Sequence, residues 1–142
     1  MKKILVINGP NTNMIGKREP ELYGSTTLED ICKMIIARGK ELNVEVECFQ
    51  SNSESAMVTR IQETLGTVDG IIMNAGAYGH YSYALLDALN ATGTPCIEVH
   101  ISNTHKREPF RHHSTIAAAC VGQIIGMGFD GYLMALEKFA KM

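Results

Sequence analysis

Asp69-Gly70-Ile71-Ile72-Met73-Asn74 is the stretch that decides the fold. A polar turn opens it, an asparagine closes it, and its apolar residues run without alternation. A run this short suits a strand, and a strand with no polar face is buried on both sides. Such strands belong to parallel sheets covered by helices above and below. Outward from it, residues 3–8 repeat the pattern around Ile4-Leu5-Val6-Ile7, residues 44–50 are rich in β formers, and 95–101 and 118–125 supply two more strands. Helical spacing fills the intervals. Thr26 and Glu29 read as a capping box opening a helix to about residue 42, with Leu28, Ile31, Cys32, Ile35 and Ile36 inward. Ser53-Glu54 opens a second helix with Met57, Ile61 and Leu65 on one face. A third spans 82–91 and stops at Gly93; the last occupies 128–141, with Leu133, Leu136 and Phe139 or Ala140 inward.

Strands alternating with helices imply right-handed crossovers. The expected fold is a single α/β domain over 1–142, flavodoxin-like, with a five-stranded parallel sheet in the order 2-1-3-4-5 and helices on both faces. At 142 residues, 45% hydrophobic and 20% charged, the chain can bury one core. Its net charge of -2 gives no global reason to expect nucleic acid or an acidic membrane as partner. No apolar run approaches the ~20 residues of a span, and the run after Lys2-Lys3 stops too soon for a signal peptide. Cys32, Cys48, Cys96 and Cys120 stand singly, without CxxC, and read as four buried free thiols in a cytoplasmic protein.

In such sheets ligands bind outside the carboxyl ends of the strands, near the switch point between strands 1 and 3. That rule gathers Asn8 and Asn11, Asn74 and His80, and Glu98, His100, Ser102 and Asn103, with Arg18 and Tyr23, on one rim. Alternation puts Glu98, His100 and Ser102 on one face. A histidine beside a carboxylate is held in one tautomer, which suits a general acid or simply a satisfied buried pair. Four of the five histidines fall between His100 and His113, interleaved with Lys106, Arg107 and Arg111. This local positive patch reads as a solvated basic loop or as a pocket for a small anion. The segment 10–24 is a long loop punctuated by Gly16, Pro20 and Gly24 and carries Arg18 and Tyr23. A cation beside a phenol favours the tyrosinate, a candidate base on a mobile lid; a surface loop with a packing tyrosine is the plain alternative.

The Gly-rich patterns are not nucleotide loops: six residues separate Gly9 from Gly16, and Arg18 stands where a P-loop needs Ser or Thr. GxSxG and HExxH are absent. No metal or cofactor is expected. The remaining groups suit proton abstraction beside a carbonyl, with a second acid protonating a leaving hydroxyl.

Gly9-Pro10-Asn11, Gly16-Lys17-Arg18-Glu19-Pro20-Glu21-Leu22-Tyr23-Gly24, Asn74-Ala75-Gly76-Ala77-Tyr78 with His80 and Ser82, and Glu98-Val99-His100-Ile101-Ser102-Asn103 closely resemble type II 3-dehydroquinate dehydratases. So do Arg107-Glu108, Phe110-Arg111-His112-His113-Ser114 and Gly122-Gln123-Ile124-Ile125-Gly126. The resemblance implies dehydration of 3-dehydroquinate to 3-dehydroshikimate in the shikimate pathway. It implies Tyr23 as base, Arg18 stabilising it, His100 as acid and Asn11 at the enolate oxygen through a water. Asn74, His80, Ile101, Ser102 and Arg111 would bind substrate, with Glu98, Glu19 and Arg107 in support. Asp87 would reach a neighbouring subunit's site in a homododecamer built from trimers. Thr12, Gly79 and Thr104 depart from the family's usual residues, none at a catalytic position. A flavodoxin-like binding module for an anionic ligand, without turnover, is the alternative.

Overall fold

The computed structural model describes residues 1–17 and 24–142. Five strands form one parallel sheet: β1 (Lys2–Asn8), β2 (Val44–Gln50), β3 (Gly70–Asn74), β4 (Cys96–His100) and β5 (Gly122–Ile125), in the order β2-β1-β3-β4-β5. Among the described residues four α-helices connect or follow them: α1 (Leu28–Glu41), α2 (Glu54–Gln62), α3 (Tyr83–Thr92) and α4 (Asp130–Lys141). The flavodoxin-like order is the one expected.

The two cores follow from the two-residue period of a strand. Ile4 and Val6 of β1, Ile72 of β3, and Ile97 and Val99 of β4 face α1 and α4, meeting Ile31, Ile35, Tyr132, Leu136 and Phe139. Leu5, Ile7, Ile71, Met73 and Cys96 face the other way, onto Met57 and Ile61 of α2 and Leu85 and Leu89 of α3. Both sets in β1 and β3 are fully buried. Burying one such side chain contributes about 1.5–3 kcal/mol, so the central strands anchor the molecule. Among the described residues no helix is long and apolar enough to cross a membrane.

Several local expectations shift. The capping box lies one residue later: Thr27 Oγ1 accepts from the Asp30 N–H, and Asp30 accepts from the Thr27 N–H. Thr26/Glu29 and Thr27/Asp30 overlap, and the apolar stripe is the same for either. Leu65 is 65% exposed because α2 stops at Gln62, before the stripe reaches it. The fifth strand starts only at Gly122; Ile116–Ala119 instead form a short 3-10 helix. The Ser114 hydroxyl caps that turn at Ala117 N–H, and an alanine run has little β preference to resist it. In α4 the inward stripe is Tyr132, Ala135, Leu136 and Phe139, with Leu133 only partly buried. Of the four cysteines, all free, only Cys96 is buried; Cys32, Cys48 and Cys120 are half-buried.

The exits of β1 and β3 lie side by side, Asn8 opposite Asn74, and the Gly9 N–H continues the ladder to Asn74 O at 2.8 Å. A Cβ on Gly9 would stand 2.5 Å from Ala75 O. Both groups are backbone and neither can swing aside. Gly9→Ala should therefore lower stability by about 1–3 kcal/mol, the usual range for overpacking. Urea unfolding checks this; an unchanged midpoint would mean the two exits are not held this closely.

Candidate active site

The carboxyl ends of β1, β3 and β4 open on a cavity of about 190 Å³. Among the described residues, Asn11, Thr12 and Ile15 line it from the loop after β1, and Asn74, Gly76 and His80 from the segment after β3. His100, Ile101 and Ser102 line it at the end of β4, and Arg107 and Arg111 come from the polar segment beyond. The size is below the ~300 Å³ at which drug-sized pockets begin, so it suits a small molecule.

Each wall has a local cause. Asn11 takes a left-handed conformation, φ 68°, which asparagine tolerates better than most residues. Its N–H donates to Asn52 Oδ1 at 3.0 Å, and Gln50 Nε2 bridges Asn52 Oδ1 and Gly9 O, both at 3.2 Å. Thr12 Oγ1 donates to Gly9 O at 2.6 Å, closing the turn. Gly76 is also left-handed, φ 59°, and an added Cβ would come within 3.1 Å of Pro10 O. Small residues thus let the two loops meet beneath the cavity.

Glu98 and His100 point to one side of the sheet, as alternation requires. His100 Nε2 lies 2.5 Å from Glu98 Oε2. Glu98 is fully buried. Ser114 Oγ donates to Glu98 Oε1 and Oε2 at 2.7 and 2.9 Å, and Gln123 Nε2 donates to Oε1 at 3.0 Å. Burial pushes the Glu98 carboxyl up, but His100, Ser114 and Gln123 together outweigh it and hold it below the usual glutamate range. An ionised Glu98 can only accept, so His100 Nε2 carries a proton and Nδ1 is the nitrogen left for other partners.

His80 stacks on His100, with ring centroids 5.6 Å apart and planes 17° from parallel. Its Nδ1 faces His113 O at 2.8 Å and must donate there, since a carbonyl only accepts. Burial lowers the His80 pKa; the His113 carbonyl opposes this, while the charges of His100 and Arg111 add to the lowering. Arg107 Nη1 reaches Ser102 Oγ at 3.4 Å, and Arg111 Nε donates to Glu108 Oε1 at 3.0 Å while its guanidinium lies over Phe110. Two cations, two imidazoles and several amides therefore face one small cavity, an arrangement made for an oxygen-rich anion.

The sequence-selected residues Asn11, Asn74, His80, His100, Ile101, Ser102, Arg107 and Arg111 all line this cavity. Glu98 lies behind them. Asp87 does not join them: it is exposed on α3, outside the lining. Arg18, Glu19 and Tyr23 lie outside the described residues, as does the 18–23 part of the expected lid over 10–24. Sequence reasoning assigned no role to Asn52, Gln50 or Tyr132, which have no motif spacing to mark them. Among the described residues, no three His, Cys, Asp or Glu side chains group as a metal cage.

The Dehydroquinase class II family profile matches residues 2–140. The chain is 54% identical to the 3-dehydroquinate dehydratase of Endomicrobium trichonymphae, over 100% of this chain and 99% of that one. It is 55% identical to the 3-dehydroquinate dehydratase of Caldicellulosiruptor bescii, over 96% and 94%. The crystal structure of type II dehydroquinase from Butyrivibrio crossotus superposes with a TM-score of 0.95 at 50% identity, over 97% of each chain.

Acid should destabilise the fold in two stages. Unfolded His80 protonates near its ordinary value of 6.5, and the folded residue below it, so stability is full above that value and falls as pH drops beneath it. Glu98 behaves likewise lower down: its contribution is present above 4.5 and is lost as the pH falls through its depressed folded value. Melting midpoints between about pH 7.5 and 5 should fall for the natural chain and stay flatter for His80→Asn. Parallel curves would remove His80 as the cause.

Proposed function

The chain belongs to the Dehydroquinase class II family, and from that membership we propose that it dehydrates 3-dehydroquinate to 3-dehydroshikimate, a step of the shikimate pathway. The observation that carries this reading is the buried Glu98–His100 pair opening on a small, cation-lined cavity. The relatives' dehydratase names weigh against a binding module without turnover.

Tyr23, as tyrosinate, removes the C2 proton, and the electron pair moves into the adjacent carbonyl to form an enolate. Arg18 favours the tyrosinate and the developing negative charge. Asn11 holds the enolate oxygen through a water. The enolate then collapses, the C1–O bond breaks, and His100, entering as the imidazolium with its Nε2–H held by Glu98, gives its Nδ1 proton so that the hydroxyl leaves as water. Glu98 fixes the imidazole's orientation and tautomer. Asn74, His80, Ile101, Ser102 and Arg111 bind the substrate, Ser102 and the Ile101 backbone at its carboxylate. Arg107, which hydrogen-bonds Ser102, and Glu19 support them. This elimination needs neither metal nor cofactor.

By the same family resemblance, twelve subunits assemble from trimers, with Asp87 reaching a neighbour's site; its exposure on α3 is compatible with this. Sedimentation would reveal a smaller particle. Scattered free thiols favour a cytoplasmic location.

The conjugated enone product absorbs in the ultraviolet, so adding 3-dehydroquinate should produce a steady absorbance rise. Tyr23→Phe should abolish it while still binding a substrate analogue. His100→Ala should slow turnover by about 10²–10⁴-fold, the usual contribution of a general acid. Arg18→Lys should lose kcat more than KM, because an ammonium does not reproduce the planar guanidinium. Full turnover in Tyr23→Phe would rule out the tyrosinate.

A lysine imine is the rival route to the same product. Lys17 and Lys106 are exposed, and no lysine lines the cavity among the described residues. Borohydride added with substrate should leave activity intact; substrate-dependent mass on a lysine would refute the enolate route.

A further inference from the structure

Asn74 ends β3 and lines the cavity, and its carboxamide is held from behind. The Gly76 N–H donates to Asn74 Oδ1 at 3.2 Å. Asn74 Nδ2 donates to the Tyr132 hydroxyl at 2.9 Å, and that hydroxyl donates to Asn8 Oδ1 at 2.6 Å. A backbone N–H can only donate, so the Asn74 atom that meets it is oxygen. Its nitrogen then meets Tyr132, whose oxygen accepts, and the phenol proton passes on to Asn8. One backbone amide thus sets the direction of the whole chain. The same direction makes Asn8 Nδ2 the surplus donor, and that atom is buried without a partner among the described residues. Asn74 is fully oriented, and the unmet donor lies at the other end of the chain. Tyr132 is 0% exposed and comes from α4, so it does not line the cavity.

We infer that Tyr132 is a positioning residue that fixes the Asn74 carboxamide with its second N–H offered to an oxygen of the bound substrate. The inference rests on the cavity being the dehydroquinate site. With the phenol oxygen gone, Asn74 Nδ2 loses its partner and the amide is free to turn. A donor presented only part of the time holds a hydroxyl or carbonyl oxygen more weakly. Turning the amide over in the intact protein would instead set its nitrogen against the Gly76 N–H, donor against donor.

The test is a four-protein cycle of the natural chain, Tyr132→Phe, Asn74→Ala and the double variant. KM and kcat are measured with 3-dehydroquinate, and Kd with the non-reacting ring acid quinate by calorimetry. Tyr132→Phe should raise KM and Kd about five- to tenfold, with kcat changing less. Added to Asn74→Ala, it should change them less than about twofold, because the group it positions is gone. An equal penalty in both backgrounds would mean that Tyr132 only supports the fold, and would overturn the inference. Should Tyr132→Phe fail to fold, Asn8→Ala keeps the phenol but removes the acceptor that orients its proton. Its effect on Kd should likewise vanish when Asn74 is alanine, and persistence there is again disproof. A natural chain that binds quinate without converting 3-dehydroquinate sinks the reaction assignment, while the coupling in Kd still decides for or against Tyr132.

Discussion

A carboxylate with no access to water governs the working end of this molecule. Glu98 sits at the end of the sheet, 0% exposed, where an unpaired charge would cost several kcal/mol. Three donors from three places offset that burial: His100 two residues on, Ser114 from the polar segment and Gln123 from β5. Each is thereby tied to the others. The edge strand is held to β4 by side chains as well as by its ladder, and the polar segment is pinned where its two arginines reach the cavity. The imidazole next to the carboxylate has no freedom to choose its tautomer.

The rim is built around this pair by a second economy, that of small residues. Parallel strands deliver all their carboxyl ends to one edge, and loops from β1 and β3 must then share a narrow space. Gly9 against Ala75 and Gly76 against Pro10 allow that approach. The close packing brings Asn11 and Asn74 to the same floor. Polar side chains that never reach the cavity orient those that do: Asn52 and Gln50 under the β1 loop, Tyr132 and Asn8 under β3. The cavity wall among the described residues is therefore one layer of amides and cations resting on a second layer of hydrogen bonds. Thr12 fits this plan, since its hydroxyl closes the turn at Gly9.

The sheet was legible because its signal is strong and local. Runs such as Ile4-Leu5-Val6-Ile7 and Ile71-Ile72-Met73 admit few alternatives, and alternation with helical stripes restricts the topology to a few candidates. Boundaries were less so. Two overlapping capping boxes share one apolar stripe, and the Ala117–Ala119 run carries no preference strong enough to choose between strand and turn. Leu65 was misplaced because periodicity does not say where a helix stops.

By itself the sequence determined the parallel sheet, the strand order, and the rim on which Asn11, Asn74, His80, His100 and Ser102 converge. All of these follow from short-range pattern plus the rule that a parallel sheet presents its ligands at one edge. The Glu98–His100 pair was readable too, since two residues along a strand share a face. Only tertiary structure decided which groups hold those residues in place. Ser114 and Gln123 meet Glu98 from 16 and 25 residues away, and Tyr132 meets Asn74 from 58. Contacts at such separations leave no periodicity in the chain. Such a serine, glutamine or tyrosine looks like any other until folding supplies its partner.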